Sequence, residues 1–142
     1  MATGTLATTA RQTHEQQLHY LRFAVNYNDA GISNGVGKQY LPAGAIIVGT
    51  DVLVTASFNA NSTNVLTVGV NGTTANNIVG SGDVNEASVQ IFQNISASAT
   101  MPLTADSQVY AKFTQTGGTV ATAGKAYVII KYIPDNDLNI GS

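Results

Sequence analysis

From Leu21 onward the chain alternates apolar and polar positions. Leu21, Phe23, Val25 and Tyr27 share one parity, and Arg22, Ala24 and Asn26 take the other. Successive side chains of a strand point to opposite faces, so this pattern predicts a half-buried strand. A short extended piece follows from Val36 to Leu41, bounded by the turn-forming groups Asn28-Asp-Ala-Gly31, Ser33-Asn-Gly35 and Pro42-Ala-Gly44. Ala45 to Phe58 is rich in β-branched residues and reads as a strand with a bulge or bend at Gly49-Thr-Asp51. Val65 to Val70 reads as another, closed by Asn71-Gly72, a strong hairpin signal. Asn76 to Ala87 has no period and contains Gly80-Ser-Gly-Asp83, which predicts a long loop or a single helical turn. Ser88 to Ile95 alternates weakly. Ser107 to Gln115 and Lys125 to Ile133 alternate strongly on either side of Gly117-Gly118, the pattern of a final hairpin, and Pro134 ends pairing.

Seven or eight short strands joined by Gly, Asn and Pro turns, with no amphipathic helix, predict an all-β fold. The expected form is a two-sheet antiparallel β-sandwich of jelly-roll type with an extended N-terminal arm. No fixed period recurs, which sets aside propellers and solenoids. The expected organisation is an arm over residues 1–13, a sandwich domain over 14–134 and a tail over 135–142. The first stretch has neither strand nor helix periodicity, and the last follows Pro134.

Composition narrows the function. The chain has 142 residues, 44% of them hydrophobic, enough to close one core. Only 10% are charged, so Thr, Asn, Ser and Gly must wet the surface, in runs such as Asn59-Ala-Asn-Ser-Thr-Asn64 and Thr114-Gln-Thr-Gly-Gly-Thr119. The net charge of -2 and the scattering of Arg11, Arg22, Lys38, Lys112, Lys125 and Lys131 argue against a nucleic-acid partner. No apolar run reaches the roughly 18 residues of a membrane helix, and no export signal is visible, so a membrane is not expected as a partner. With no Cys, disulfide and thiolate chemistry are absent.

Candidate chemistry is sparse. His14 and His19 are five apart, not the four of a zincin pair, and read as solvated polar residues. Asp29, Asp83 and Asp106 lie in turn sequences, where an Asp side chain commonly accepts backbone N–H groups. Asp83-Val-Asn-Glu86 is oxygen-rich but lacks the alternating order of a calcium loop. Gly118 and Gly124-Lys125 miss the P-loop spacing, and Ala126 stands where Ser or Thr is required. No nucleophile elbow occurs. Asn61, Asn71 and Asn94 begin sequons that matter only in a secretory pathway. Tyr20, Tyr27, Tyr40, Tyr110, Tyr127 and Tyr132 read as rim-of-core residues able to line a sugar site or an assembly interface. The expectation is a protein without catalytic residues, cofactor or metal.

The stretches Phe23 to Ile32, Leu41-Pro-Ala-Gly-Ala-Ile-Ile47, Asn64-Val-Leu-Thr-Val-Gly69, Gly82-Asp-Val-Asn-Glu86, Val109 to Gly117 and Ala126-Tyr-Val-Ile-Ile-Lys-Tyr132 resemble a family of small virion proteins of tailed bacteriophages. The resemblance spans about residues 20 to 133 and rests on strand and turn words rather than a catalytic signature. It implies a jelly-roll cement or decoration protein on the outer capsid surface of the virion, where it bridges major capsid protein subunits and pairs with itself as a homodimer or other homo-oligomer. Under that reading the arm and tail supply the capsid contacts: Leu6, Arg11, His14, Asp135 and Asp137, with Arg11 able to grip a capsid carboxylate in bidentate fashion. The alternative is a carbohydrate-binding β-sandwich module of a phage fibre or adhesin, with tyrosines stacking on sugar. A third reading, a small glycosidase, needs two facing carboxylates that no spacing here selects.

Overall fold

A computed structural model describes residues 18–134, and all structural statements concern these residues. Seven strands form in chain order: β1 (His19–Asn26), β2 (Val36–Leu41), β3 (Ile46–Ala56), β4 (Thr63–Gly69), β5 (Ile91–Ile95), β6 (Ser107–Thr116) and β7 (Lys125–Ile133). They make two sheets, one of four strands in the order β1-β7-β3-β5 and one of three in the order β2-β6-β4, with every pairing antiparallel. A single bridge between Val68 and Val79 adds one further rung beside β4. If Val79 is taken as the remnant of an eighth strand, each sheet has four members, and consecutive strands alternate between the sheets except that β4 and Val79 share one, as in a jelly roll.

The alternating pattern fills the space between the sheets. Leu21, Phe23 and Val25 of β1, Ile47, Val52 and Val54 of β3, and Ala126, Val128 and Ile130 of β7 face Leu66 and Val68 of β4 and Val109, Ala111 and Phe113 of β6. Each fully buried aliphatic side chain contributes about 1.5–3 kcal/mol by leaving water. The Phe58 and Phe113 rings meet with centroids 4.7 Å apart, which closes one end of this core. Thr50 is the exception: its hydroxyl is fully buried and has no hydrogen-bond partner. It sits where β3 shifts register between Ile47 and Gly49 against β7, and between Thr50 and Val52 against β5, so the predicted irregularity near Gly49 is present.

Two expectations are corrected. β6 and β7 are consecutive but do not form a hairpin. β6 lies between β2 and β4, whereas β7 lies between β1 and β3 in the other sheet. Alternation reports which side chains face the core, and both strands satisfy it, but it carries no information about the strand beside them. The loop between them crosses from sheet to sheet and is held by side-chain amides. Asn59 Oδ1 accepts the Thr122 and Ala123 N–H groups at 2.8 and 3.0 Å, Asn61 Oδ1 accepts Thr119 N–H, and Gln115 Oε1 accepts Ala121 N–H. Nor does Asn71-Gly72 make a two-residue hairpin. Gly72, at φ 68°, opens a 3₁₀ turn over Gly72–Thr74, the Asn71 side chain bonds to Asn76, and pairing resumes only at Val79.

The free edge of β4 is completed by side chains. Leu66 N–H donates to Glu86 Oε1 at 2.7 Å, Val68 N–H to the Val79 carbonyl at 3.1 Å, and Val70 N–H to Asn77 Oδ1 at 2.8 Å. Three successive outward donors of one strand thus meet a carboxylate, a backbone carbonyl and an amide, where an eighth strand would have offered carbonyls alone.

Candidate interaction face

Inward residues of β1, β3 and β7 are committed to the core, so residues of the other parity form the outer surface of the four-stranded sheet. On β7 these are Lys125, Tyr127, Ile129 and Lys131; on β3, Asp51, Leu53 and Thr55; on β1, Tyr20, Arg22 and Ala24. Register aligns them in rows. Ala24 faces Tyr127, Tyr127 faces Leu53, and Leu53 faces Ile91, a band that crosses all four strands. Arg22 faces Ile129, which faces Asp51 in the next row. Leu18, Tyr20, Arg22, Leu53, Tyr127, Ile129 and Lys131 line a shallow depression of about 440 Å³. Tyr20 is 66% exposed and Leu18 57%, so the depression opens to solvent.

Charge is placed around this apolar band. The Arg22 guanidinium lies 4.7 Å from the Tyr127 ring centroid and the Lys125 ammonium 5.1 Å, a double cation–π arrangement. Lys125, by hydrogen bonding and by charge, and then Arg22 hold the Tyr127 phenol below its ordinary pKa. Lys131 pairs with Asp51 at 3.3 Å and donates to Asn94 Oδ1 at 3.2 Å, which ties β7 to the bulged end of β5.

The outer surface of the three-stranded sheet has different chemistry. Val65, Thr67, Lys112 and Thr114 share it, and with Thr74, Asn76 and Ser81 they line a second depression of about 300 Å³. Hydroxyls and amides dominate there.

The carboxylates are engaged by backbone, as their turn positions predicted. Asp29 accepts the Asn26 N–H and pairs with Lys38 at 3.3 Å; desolvation pushes its pKa up, but these bonds outweigh it and the net shift is down. Asp83 accepts the Gly80 N–H at 2.7 Å and Asp106 the Ala43 N–H at 2.8 Å. Glu86 is buried, and desolvation raises its carboxyl pKa in spite of the Leu66 N–H. Among the described residues no three His, Cys, Asp or Glu side chains converge, and Glu86 turns inward, away from a cation site shared with Asp83.

Leu6, Arg11, His14, Asp135 and Asp137 lie outside the described residues. Of the tyrosines, Tyr20 and Tyr127 are brought to one face, while Tyr40 and Tyr110 belong to the other sheet. Leu53, Ile129 and Lys131 were not singled out by sequence. The available signal was in β7, where Tyr127-Val-Ile-Ile130 is apolar on both parities, a pattern that belongs to a strand covered on both faces rather than to one facing water.

No protein-family model and no curated protein matches the sequence. Solved structures do. A chain of the cyanophage Pam1 capsid asymmetric unit superposes with a TM-score of 0.66 at 17% identity, over 93% of this chain and 94% of that one. A chain of the acid-stable capsid of Helicobacter pylori bacteriophage KHP30 superposes at 0.54 and 22% identity, over 81% and 86% of the respective chains. These identities establish likeness of fold: the chain is an antiparallel β-sandwich whose structural neighbours are phage capsid proteins.

Proposed function

We propose that the chain is a structural protein of a phage capsid and serves there as a cement or decoration subunit. It binds the outer surface of the shell and bridges neighbouring major capsid subunits. The observation that carries this reading is the nearly end-to-end fold correspondence with the Pam1 capsid chain, 93% of one chain against 94% of the other. The chemistry of the molecule supports the same reading: all five described carboxylates, Asp29, Asp51, Asp83, Glu86 and Asp106, accept backbone N–H groups, and its exposed sheet face offers contact surface. Residues 1–13 with the adjoining His14, and residues 135–142, are proposed to add contacts with the shell or between copies, through Leu6, Arg11, His14, Asp135 and Asp137. A subunit that binds only the assembled lattice stabilises it by mass action, by about 2.7 kcal/mol per site at a concentration one hundred times Kd.

The test is sedimentation of the purified protein with shells that lack it, followed by heating. Saturable co-sedimentation with a raised rupture temperature is the expected result. Protein left in the supernatant, with rupture unchanged, would end the cement reading and turn attention to glycan binding.

A further inference from the structure

We infer that the outer face of the four-stranded sheet, centred on Tyr127, is the docking surface for a protein patch that is apolar at its centre and acidic at its rim. Its identification as the shell contact rests on the function proposed above; the chemistry of the face does not.

Apolar side chains point outward from all four strands of this sheet, and Leu18, Tyr20 and Ile91 are each at least 45% exposed. An open sheet face facing only water ordinarily carries polar residues at these positions. Charge is segregated in the same place. Of the five described basic residues, Arg22, Lys125 and Lys131 lie on this face; of the five described carboxylates, only Asp51 does. A chain of net charge -2 therefore presents three cations around an apolar exposed surface. Asp51 is committed to Lys131. Arg22 and Lys125 make no ion pair among the described residues, and both are held within about 5 Å of the Tyr127 ring centroid. Aromatic residues and Arg are the types that concentrate binding energy at protein interfaces.

The same charges discriminate between occupants. A second copy seated face to face would bring Arg22 and Lys125 of both chains together, which like-charge repulsion opposes. A carboxylate-rimmed surface gains from both.

The experiment uses the full chain and three proteins: wild type, the double variant R22E/K125E, and K112E, which reverses a cation on the other sheet. Binding to shells that lack the protein is expected to weaken by roughly tenfold or more in R22E/K125E, to weaken with added salt in the wild type, and to be unchanged in K112E. Equal binding by wild type and R22E/K125E would overturn the inference. Should the wild type not bind shells at all, the proposed function fails, and the face is judged separately with the anionic aromatic dye anilinonaphthalene sulfonate. Enhanced fluorescence with native wild type and K112E, lost in R22E/K125E, supports an open cationic apolar patch. A silent wild type overturns it, because the face is then already covered. Sedimentation velocity completes the test: a wild-type dimer that R22E/K125E dissolves would make a second copy the occupant and overturn the assignment to an acidic partner.

Discussion

The two sheets of this sandwich solve the same problem in opposite ways. In the four-stranded sheet the β1–β7 ladder is unbroken, β3 shifts register against both of its neighbours, and the outer face is apolar and cationic. In the three-stranded sheet the outer face is hydroxyl-rich, and the missing strand beside β4 is replaced by Glu86, Val79 and Asn77. One sheet joins four strands by backbone pairing and leaves its outward side chains free. The other spends side chains on its own edge. An unpaired edge is a template for association with other chains, and an edge filled by a carboxylate and an amide is a poor one. The contrast closes the β4 edge to association and, under the inference drawn above, leaves that role to a face.

The contrast is easiest to break at Glu86. Glu86→Ala strands the Leu66 N–H without an acceptor and is expected to cost about 3 kcal/mol in chemical denaturation. Glu86→Gln, which keeps an acceptor and removes the charge, should retain most of that stability. A loss in Glu86→Ala no larger than that of a surface substitution would mean that β4 does not depend on a side-chain edge. Asn77→Ala removes the acceptor for Val70 N–H from a half-buried position, and about 1.5 kcal/mol is the expected loss. In the four-stranded sheet the sign reverses. Thr50→Val replaces a buried, unpartnered hydroxyl with a methyl group of similar size and should raise stability by about 1 kcal/mol.

The smallest effect is a pH dependence. The folded Glu86 pKa lies above its ordinary 4.5, so the native state holds the proton more tightly than the unfolded chain. That contribution is fully present below about 4.5 and is lost as pH rises through the folded value. Asp29, lowered from 3.8, acts oppositely: its contribution is present above that value and is lost as pH falls. Comparing denaturation of wild type and Glu86→Gln between pH 4 and 7 isolates the first contribution, and parallel curves would refute the assigned shift.

Strand positions were legible because burial imposes a period of two, and β1 and β6 follow the apolar parity closely. Partners were not, because β6 and β7 carry equivalent patterns and only long-range register separates them. Asn and Gln were the least legible. Asn59, Asn61 and Gln115 read as residues that wet the surface, yet each accepts a backbone N–H of the crossing loop. An amide that hydrates and an amide that staples have the same one-dimensional signature. The interaction face was half legible: its tyrosines were noticed, but the doubly apolar run in β7 was taken for simple alternation.

The central position of β7 also constrains how the molecule comes into being. His19 pairs with Tyr132 and Asn26 with Lys125, so the first of the described strands to be synthesised waits for the last of them before its ladder can form. β3 waits for the same strand. Such pairings give a high contact order, and chains of this kind fold slowly. Tyr127, Ile129 and Lys131 arrive with β7, so the band they complete on the outer face exists only once β7 is in place. A product truncated before β7 lacks that surface and, under the inference drawn above, has nothing with which to compete for the shell.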